Sequence, residues 1–345
     1  MSEIGNHSAA SRQIQLGPND RFLDEAFALE TLPKRSFGAH KWSVGGLVIV
    51  AGGPGYIGAA ALSAMAAGRA GAGVINVAVP RGAMSAIVTL VPEAAFIPLP
   101  ESDLGASERV RESLTEKFGK SKAAVVGPGL GEDEYAEALM RLLFGQRAQR
   151  RAGGLGFRKL EDTPVAPEAT VEALIGGDLP ALIDADGLNW LAKQPDWWTI
   201  ARPGSLVLTP HIGEMSRLTG KPAEAILADP AGVAREAAKI WQQTVVLKHG
   251  YSIATDGVKS LVSREIAYSL ATGGSGDILA GTIGAFLAQG VTPLDAAGLG
   301  LYLGLRAARR VEARYGILGL TASDLPLGIA EEIASLERKR DGEDG

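Results

Sequence analysis

Short runs of consecutive apolar residues, most of them bordered by glycine, recur along the chain and alternate with stretches whose apolar positions return at helical spacing. Leu47 to Ala51 predicts a buried strand, Gly58 to Ala70 a helix of small residues, Gly73 to Val79 a further strand and Arg81 to Leu90 a further helix. Ala123 to Val126, Ala181 to Ile183, Leu206 to Leu208 and Val245 to Leu247 continue the strand series, with a helix over Asp133 to Phe144. Strands that are apolar at every position are buried on both faces, the mark of a parallel sheet covered by helices on either side. Tyr251 to Thr255 and Lys259 to Val262, separated by Asp256-Gly257, predict a hairpin. The last third turns helical over Gly276 to Gln289, Leu294 to Ala313 and Ser323 to Glu337. The expected architecture is α/β, three-layer and doubly wound, around a mostly parallel sheet of about eight to nine strands.

The same pattern sets the expected boundaries. Residues 1–20 are polar, mixed in charge and without an apolar core, so no secretory leader is read there, and 1–33 as a whole is expected to be a partly disordered lead-in. A single domain is expected over residues 34–337, followed by a charged tail over 338–345. Gln146 to Gly177 interrupts the alternation with Arg147, Arg150, Arg151, Lys159 and the run Gly153-Gly154-Leu155-Gly156, and reads as a surface insertion. No internal repeat and no second hydrophobic core are visible. No apolar run is long enough to span a bilayer, which points to a cytoplasmic protein away from the membrane.

Composition removes several chemistries. The chain has no cysteine, so thiolate nucleophiles, disulfides and sulfur-ligated metal sites are excluded. Its net charge of -5 argues against nucleic acid as partner, since phosphate neutralisation needs a basic face. Glycine numbers 45 in 345 residues, against a usual share of roughly 7%. The glycines gather after strands: Gly52, Gly53, Gly55 and Gly58; Gly127, Gly129 and Gly131; Gly273, Gly274 and Gly276. Glycine at such turns serves positive φ or close approach of a ligand to the backbone.

Ala271-Thr-Gly-Gly-Ser-Gly-Asp-Ile-Leu-Ala-Gly281 carries the strongest local chemistry. Glycines opening a long apolar helix present unpaired N–H groups at the positive end of its dipole, a site for an anion. Asp277 at that start has two readings, a helix-capping carboxylate or a general base beside a bound phosphoryl group. His211 after Pro210 likewise reads as a cap or as a ligand-binding side chain.

With Gly52-Gly-Pro-Gly-Tyr-Ile-Gly-Ala-Ala60, Pro92-Glu-Ala, Val126-Gly-Pro-Gly-Leu-Gly131, Asp184-Ala-Asp-Gly-Leu-Asn189, Leu208-Thr-Pro-His-Ile-Gly-Glu-Met215, Leu247-Lys-His-Gly250 and Gly319-Leu-Thr-Ala-Ser-Asp324 in the same order, the chain resembles the ADP-dependent NAD(P)H-hydrate dehydratase family of the ribokinase-like superfamily. The resemblance covers about Leu32 to Glu337.

The resemblance implies a ribokinase-like fold and a nucleotide repair reaction: hydrated NADH or NADPH is dehydrated to the normal cofactor while ADP becomes AMP and phosphate. It implies Asp277 as catalytic base. Ala59, Gly129, His211 and Asp277 would bind the substrate. Lys248, His249, Gly250, Tyr251, Ser252, Gly274, Ser275 and Gly276 would bind the nucleotide. Mg²⁺ would be carried by the phosphates rather than by a protein site. A homo-oligomer, a tetramer included, and a separate epimerase protein are further implications. Asp184 and Asp186 read first as turn-formers, with Asn189 opening the next helix. The sequence departs from the family at Lys248-His249-Gly250, where Lys-Gly is usual, at Pro54, at Ile266-Ala267-Tyr268 and at Tyr302-Leu303-Gly304-Leu305. These departures bear on nucleotide contact more than on fold. They leave two alternatives open: a ribokinase-like kinase for a small alcohol, such as a vitamin precursor or sugar, and a non-catalytic nucleotide-binding homologue.

Overall fold

The computed structural model describes residues 16–100, 108–146 and 173–342. One sheet of ten strands runs through it in the order β1-β10-β9-β8-β7-β6-β5-β2-β3-β4. The strands are β1 (Asp20–Leu23), β2 (Gly46–Val50), β3 (Val74–Pro80), β4 (Ala95–Leu99), β5 (Ala123–Val126), β6 (Ala181–Ile183), β7 (Leu206–Leu208), β8 (Thr244–Leu247), β9 (Ile253–Thr255) and β10 (Ser260–Ser263). Every pairing is parallel except those on the two sides of β9. The hairpin anticipated around Asp256-Gly257 is this β9–β10 pair.

The side-chain alternation of each strand builds two cores. On β2, Leu47 and Ile49 enter one hydrophobic cluster while Val48 and Val50 enter the other. The first cluster lies under α1 (Glu25–Thr31), α3 (Ile57–Arg69), α4 (Met84–Val88), α11 (Ser275–Ala288), α12 (Pro293–Tyr315) and α13 (Leu325–Asp341). The second lies under α5 (Glu108–Lys120), α6 (Glu134–Leu143), α7 (Asp186–Ala192), α9 (Ala223–Ala228) and α10 (Pro230–Trp241), with Met215 of α8 (Ile212–Thr219). The short α2 (Lys41–Val44) precedes β2 and is capped by His40, whose Nδ1 accepts from Ser43 N at 3.2 Å. Helices on both faces of one sheet give the three-layer arrangement expected from the strand pattern.

The strand count exceeds eight to nine because two edge strands carry a weak strand signal. β1 reads Asp-Arg-Phe-Leu and β4 contains Pro98, tolerated at a sheet edge where one face of the backbone needs no partner. The lead-in expectation is corrected accordingly. Residues 1–15 lie outside the described residues, but Asp20–Leu23 pairs with β10 and α1 buries Phe27 and Ala28 against the first core. Asp20 ties this edge down: its carboxylate, 5% exposed, accepts from Gly17 N at 2.7 Å and pairs with Arg235 of α10. Asp20→Asn is expected to lower stability by about 1–2 kcal/mol, the scale of a hydrogen bond to a charged group. A lower urea midpoint at unchanged slope is the check.

Residues 147–172 of the expected insertion lie outside the described residues. The stretch that follows belongs to the fold: Leu174 and Ile175 donate to Leu143 O, and Ile175 is fully buried. The charged tail is shorter than expected, since α13 continues to Asp341. Helix α5, not anticipated, carries Val110, Leu114 and Phe118 on one buried stripe at four-residue spacing. No helix among the described residues is long and apolar enough to cross a membrane.

Candidate active site

The carboxyl ends of the central parallel strands converge on the N-terminus of α11. Two helices fix that point. α11 packs so closely on α3 that a Cβ on Gly281 would lie 2.0 Å from Ser63 O, and one on Gly284 would lie 2.3 Å from Val125 Cγ2 of β5. Small residues let the two backbones and the sheet meet. Gly274 caps the helix at φ 90°, a conformation that L side chains rarely adopt, and no side chain caps the end. Gly276 and Asp277 are the second and third residues of α11, where N–H groups have no earlier carbonyl of the helix to bond. Ser275 Oγ donates to Leu270 O at 2.8 Å and so holds the turn from inside.

Asp277 therefore stands within the first turn rather than as its cap. Burial, then the charge of Asp184, push its carboxyl up to about 6, while Lys248 opposes them. Facing this end, β6 and β8 deliver Asp184 and Lys248. Asp184 Oδ1 accepts from Lys248 Nζ at 2.7 Å and from Thr209 Oγ1 at 2.7 Å. A Cβ on Gly276 would lie 3.5 Å from Lys248 Nζ and 3.6 Å from Asp184 Oδ2, so the ion pair borders the helix start directly. Burial works to lower the Lys248 pKa, but Asp184 and Glu214 outweigh it and hold the ammonium above its ordinary value.

Both sequence readings of His211 bear on its geometry. It caps α8: Nδ1 accepts from Gly213 N at 2.9 Å and Glu214 N at 3.3 Å, and Glu214 Oε2 accepts from His211 N at 2.7 Å. With Nδ1 accepting, the neutral ring carries its proton on Nε2, 3.5 Å from Glu214 Oε1. Burial, then Lys248 and Arg217, lower the His211 pKa, so the ring is neutral at pH 7. Burial also raises the carboxyl of Glu214. A parallel bridge between His211 and Lys248 brings this cap beside the ion pair.

The remaining expected residues fall into two groups. Ala59 and Gly129 pack together, a Cβ on Gly129 lying 2.9 Å from Ala59 Cβ, while Gly52 N donates to Pro128 O at 2.9 Å, so the turns after β2 and β5 form one surface. His249, Gly250, Tyr251 and Ser252 form the loop between β8 and β9, with His249 and Gly250 exposed. His249 is not among the non-glycine residues at positive φ, so the side chain that replaces the family's glycine imposes no backbone strain. Ile266 backs this loop, a Cβ on Gly250 lying 3.3 Å from Ile266 Cδ1.

Beyond forming the turn, Asp184 joins two residues that the sequence motifs do not set apart, Thr209 and Glu214. Their burial, 2%, 1% and 5% exposed, marks them as a polar cluster inside the molecule. The available signal was position: Asp184 and Thr209 each follow directly on an apolar strand that ends at the site, and Glu214 closes the capping box of α8 just beyond. Asp186 and Asn189 belong to α7, where Asn189 is the fourth residue rather than the opening one. Ala185 at φ 49° makes the turn by which Asp184 reaches Lys248 and Asp186 Oδ2 accepts from Gly131 N at 2.7 Å. Such a backbone costs on the order of 1–3 kcal/mol and persists where the surroundings fix it.

A doubly wound sheet whose strand ends meet an uncapped, glycine-opened helix carrying an aspartate defines a ribokinase-like protein. A ribokinase-like superfamily protein from Enterococcus faecalis shares the fold at a TM-score of 0.73 and 20% identity, covering 93% of this chain and 98% of that one. The family model described as NAD(P)H-hydrate dehydratase matches residues 47–152 and 153–330, and the chain belongs to that family. The ADP-dependent (S)-NAD(P)H-hydrate dehydratase of Xanthomonas campestris pv. campestris is 30% identical over 90% of this chain and 95% of its own. The ADP/ATP-dependent NAD(P)H-hydrate dehydratase from Bacillus subtilis, co-crystallised with ATP/Mg²⁺, superimposes with a TM-score of 0.69 at 25% identity over 92% of this chain and 99% of that one. The bifunctional NAD(P)H-hydrate repair enzyme Nnr of Moorella thermoacetica is 33% identical over 89% of this chain but only 52% of its own, so the chain spans about half the length of such relatives.

Proposed function

We propose that the protein dehydrates the S form of hydrated NADH or NADPH in an ADP-dependent reaction, with Asp277 as base. The observation that carries the reading is the juxtaposition of Asp277, the open amides of the α11 start and the Lys248–Asp184 pair. Hydroxide leaves poorly and phosphate leaves well. The ring hydroxyl gives its proton to Asp277 as its oxygen attacks the terminal phosphoryl of ADP, and AMP departs. The ring C–O bond then breaks, phosphate departing with the electron pair, while the neighbouring ring carbon gives its proton to the departing phosphate, which forms the double bond of NADH or NADPH. The Gly276 and Asp277 amides and the Lys248 ammonium would hold charge on the transferring phosphoryl. Ala59, Gly129 and His211 would face the dinucleotide, and the 249–252 loop with Gly274 and Ser275 the nucleotide.

No group of three or more His, Asp or Glu side chains among the described residues is arranged to hold a metal ion. Mg²⁺ would come bound to the nucleotide's phosphates, where it neutralises charge. The test is recovery of reduced-nicotinamide absorbance when purified protein meets hydrated NADH with ADP or with ATP. No recovery with either nucleotide overturns the reading.

A base with a carboxyl near 6 has a pH signature. The ionised form is the competent one, so kcat/KM is expected to fall about tenfold per pH unit below pH 6 and to be level above it. In Lys248→Met the ammonium that favours ionisation is gone, and the acid limb is expected to move to higher pH. An acid limb that stays in place on this substitution separates Asp277 from the titrating group.

A further inference from the structure

A cavity of about 220 Å³ lies between α6 and α7, next to the glycine turn that follows β5. Leu130 and Gly131 of that turn line it, and Met140 and Trp190 supply apolar surface. Trp190 is held flat against Phe144, ring centroids 5.3 Å apart and planes 15° from parallel. The volume is too small for a whole dinucleotide and of a size for one nucleoside.

The charges around it are unequal. Among the described residues, three carboxylates line the cavity, Glu132, Glu137 and Asp186, against two cations. Both cations are already engaged: Arg141 Nη2 bonds Glu137 Oε1 at 2.9 Å and Lys193 Nζ bonds Glu132 Oε2 at 2.5 Å. Such a lining suits a ribose diol, whose hydroxyls donate to carboxylates, and disfavours a 2′-phosphate, which needs an uncommitted cation. The cavity also borders the glycine turn that follows β5 beside the candidate active site. Gly131 belongs both to the turn and to the lining, and Asp186, which holds the Gly131 amide, is near enough for its charge to act on Asp277.

We propose that this cavity takes the adenosine end of the hydrated dinucleotide with its ribose unphosphorylated, so that hydrated NADH is preferred to hydrated NADPH. The inference rests on the dehydratase reading above. With the ring hydroxyl at Asp277 and the pyrophosphate along the glycine turns, the adenosine end continues past Gly131 into this space.

The probes are ADP-ribose and its 2′-phosphate, which lack the nicotinamide, titrated calorimetrically into protein saturated with ADP so that the nucleotide site is filled. ADP-ribose is expected to bind about tenfold more tightly than the 2′-phosphate. The exposed double variant Glu132→Lys/Glu137→Lys is expected to reverse that order, and the KM ratio of the two hydrates is expected to follow. Equal affinities, no binding of either probe, or an order unchanged in the double variant overturns the proposal. Failure of the dehydratase reading shows separately, as absence of hydrate turnover in the wild type, and the two ADP-ribose titrations decide the cavity in that case as well.

Discussion

Asp277→Asn is expected to lower kcat for hydrate dehydration by roughly 10²–10⁴-fold while ADP affinity stays within a few fold. Asparagine keeps the size of the side chain and leaves the helix amides in place, so what is lost is the ability to accept the hydroxyl proton. Stability distinguishes this from the helix-capping reading. A capping carboxylate favours the folded state when ionised, and its removal costs on the order of 1 kcal/mol. Asp277 behaves oppositely, because α11 has no side-chain cap and the folded state raises its carboxyl from an ordinary 3.8 to about 6. A raised carboxyl binds its proton more tightly when folded, so above pH 6 its ionisation opposes folding. Asp277→Asn at pH 7 should therefore leave the melting temperature unchanged or higher while turnover collapses. A lowered melting temperature with turnover intact would return Asp277 to a structural role.

The two meanings of Asp277 also show what was legible in the chain. Gly-Gly-Ser-Gly-Asp before an apolar helix marked the candidate site because the signal is local: consecutive residues form the turn, the open amides and the carboxylate. The eight interior and hairpin strands were legible for the same reason. β1 and β4 were not, since an edge strand buries less and so tolerates Arg21 and Pro98. Asp184 was hidden in another way. Its importance lies in Lys248, 64 positions away, and Thr209, 25 positions away, which only the parallel order β6-β7-β8 brings together. For His211 the structure shows the cap, Nδ1 accepting from α8 while the opposite nitrogen faces the buried Glu214. At His249 the backbone is ordinary, so the added side chain bears on contact with the nucleotide and not on strain.

Gly281→Ala is expected to destabilise the protein by about 1–3 kcal/mol, although alanine is the better helix former by about 1 kcal/mol. The reversal of sign comes from α3. The added methyl would lie 2.0 Å from Ser63 O, 2.7 Å from Ser63 C and 2.9 Å from Ser63 Cα, all backbone atoms of a packed helix that cannot turn aside as a side chain can. The matched control is Gly304→Ala on α12, where a Cβ meets nothing within 4 Å and the helix-propensity gain should appear as a small stabilisation. Relief at Gly281 requires α11 to move off α3, and the first turn of α11 carries Gly276 and Asp277. Lys248 and Asp184 stay with β8 and β6, so the shift opens the distance between the open amides of the α11 start and the ion pair. A displacement of about 1 Å in such an arrangement can cost on the order of 10²-fold in rate. Gly281→Ala should thus lower kcat more than its loss of stability explains when assayed well below its melting temperature, whereas Gly304→Ala should leave kcat unchanged. Equal and unchanged kcat in both variants would mean that the α3–α11 contact supports the fold without setting the position of the base.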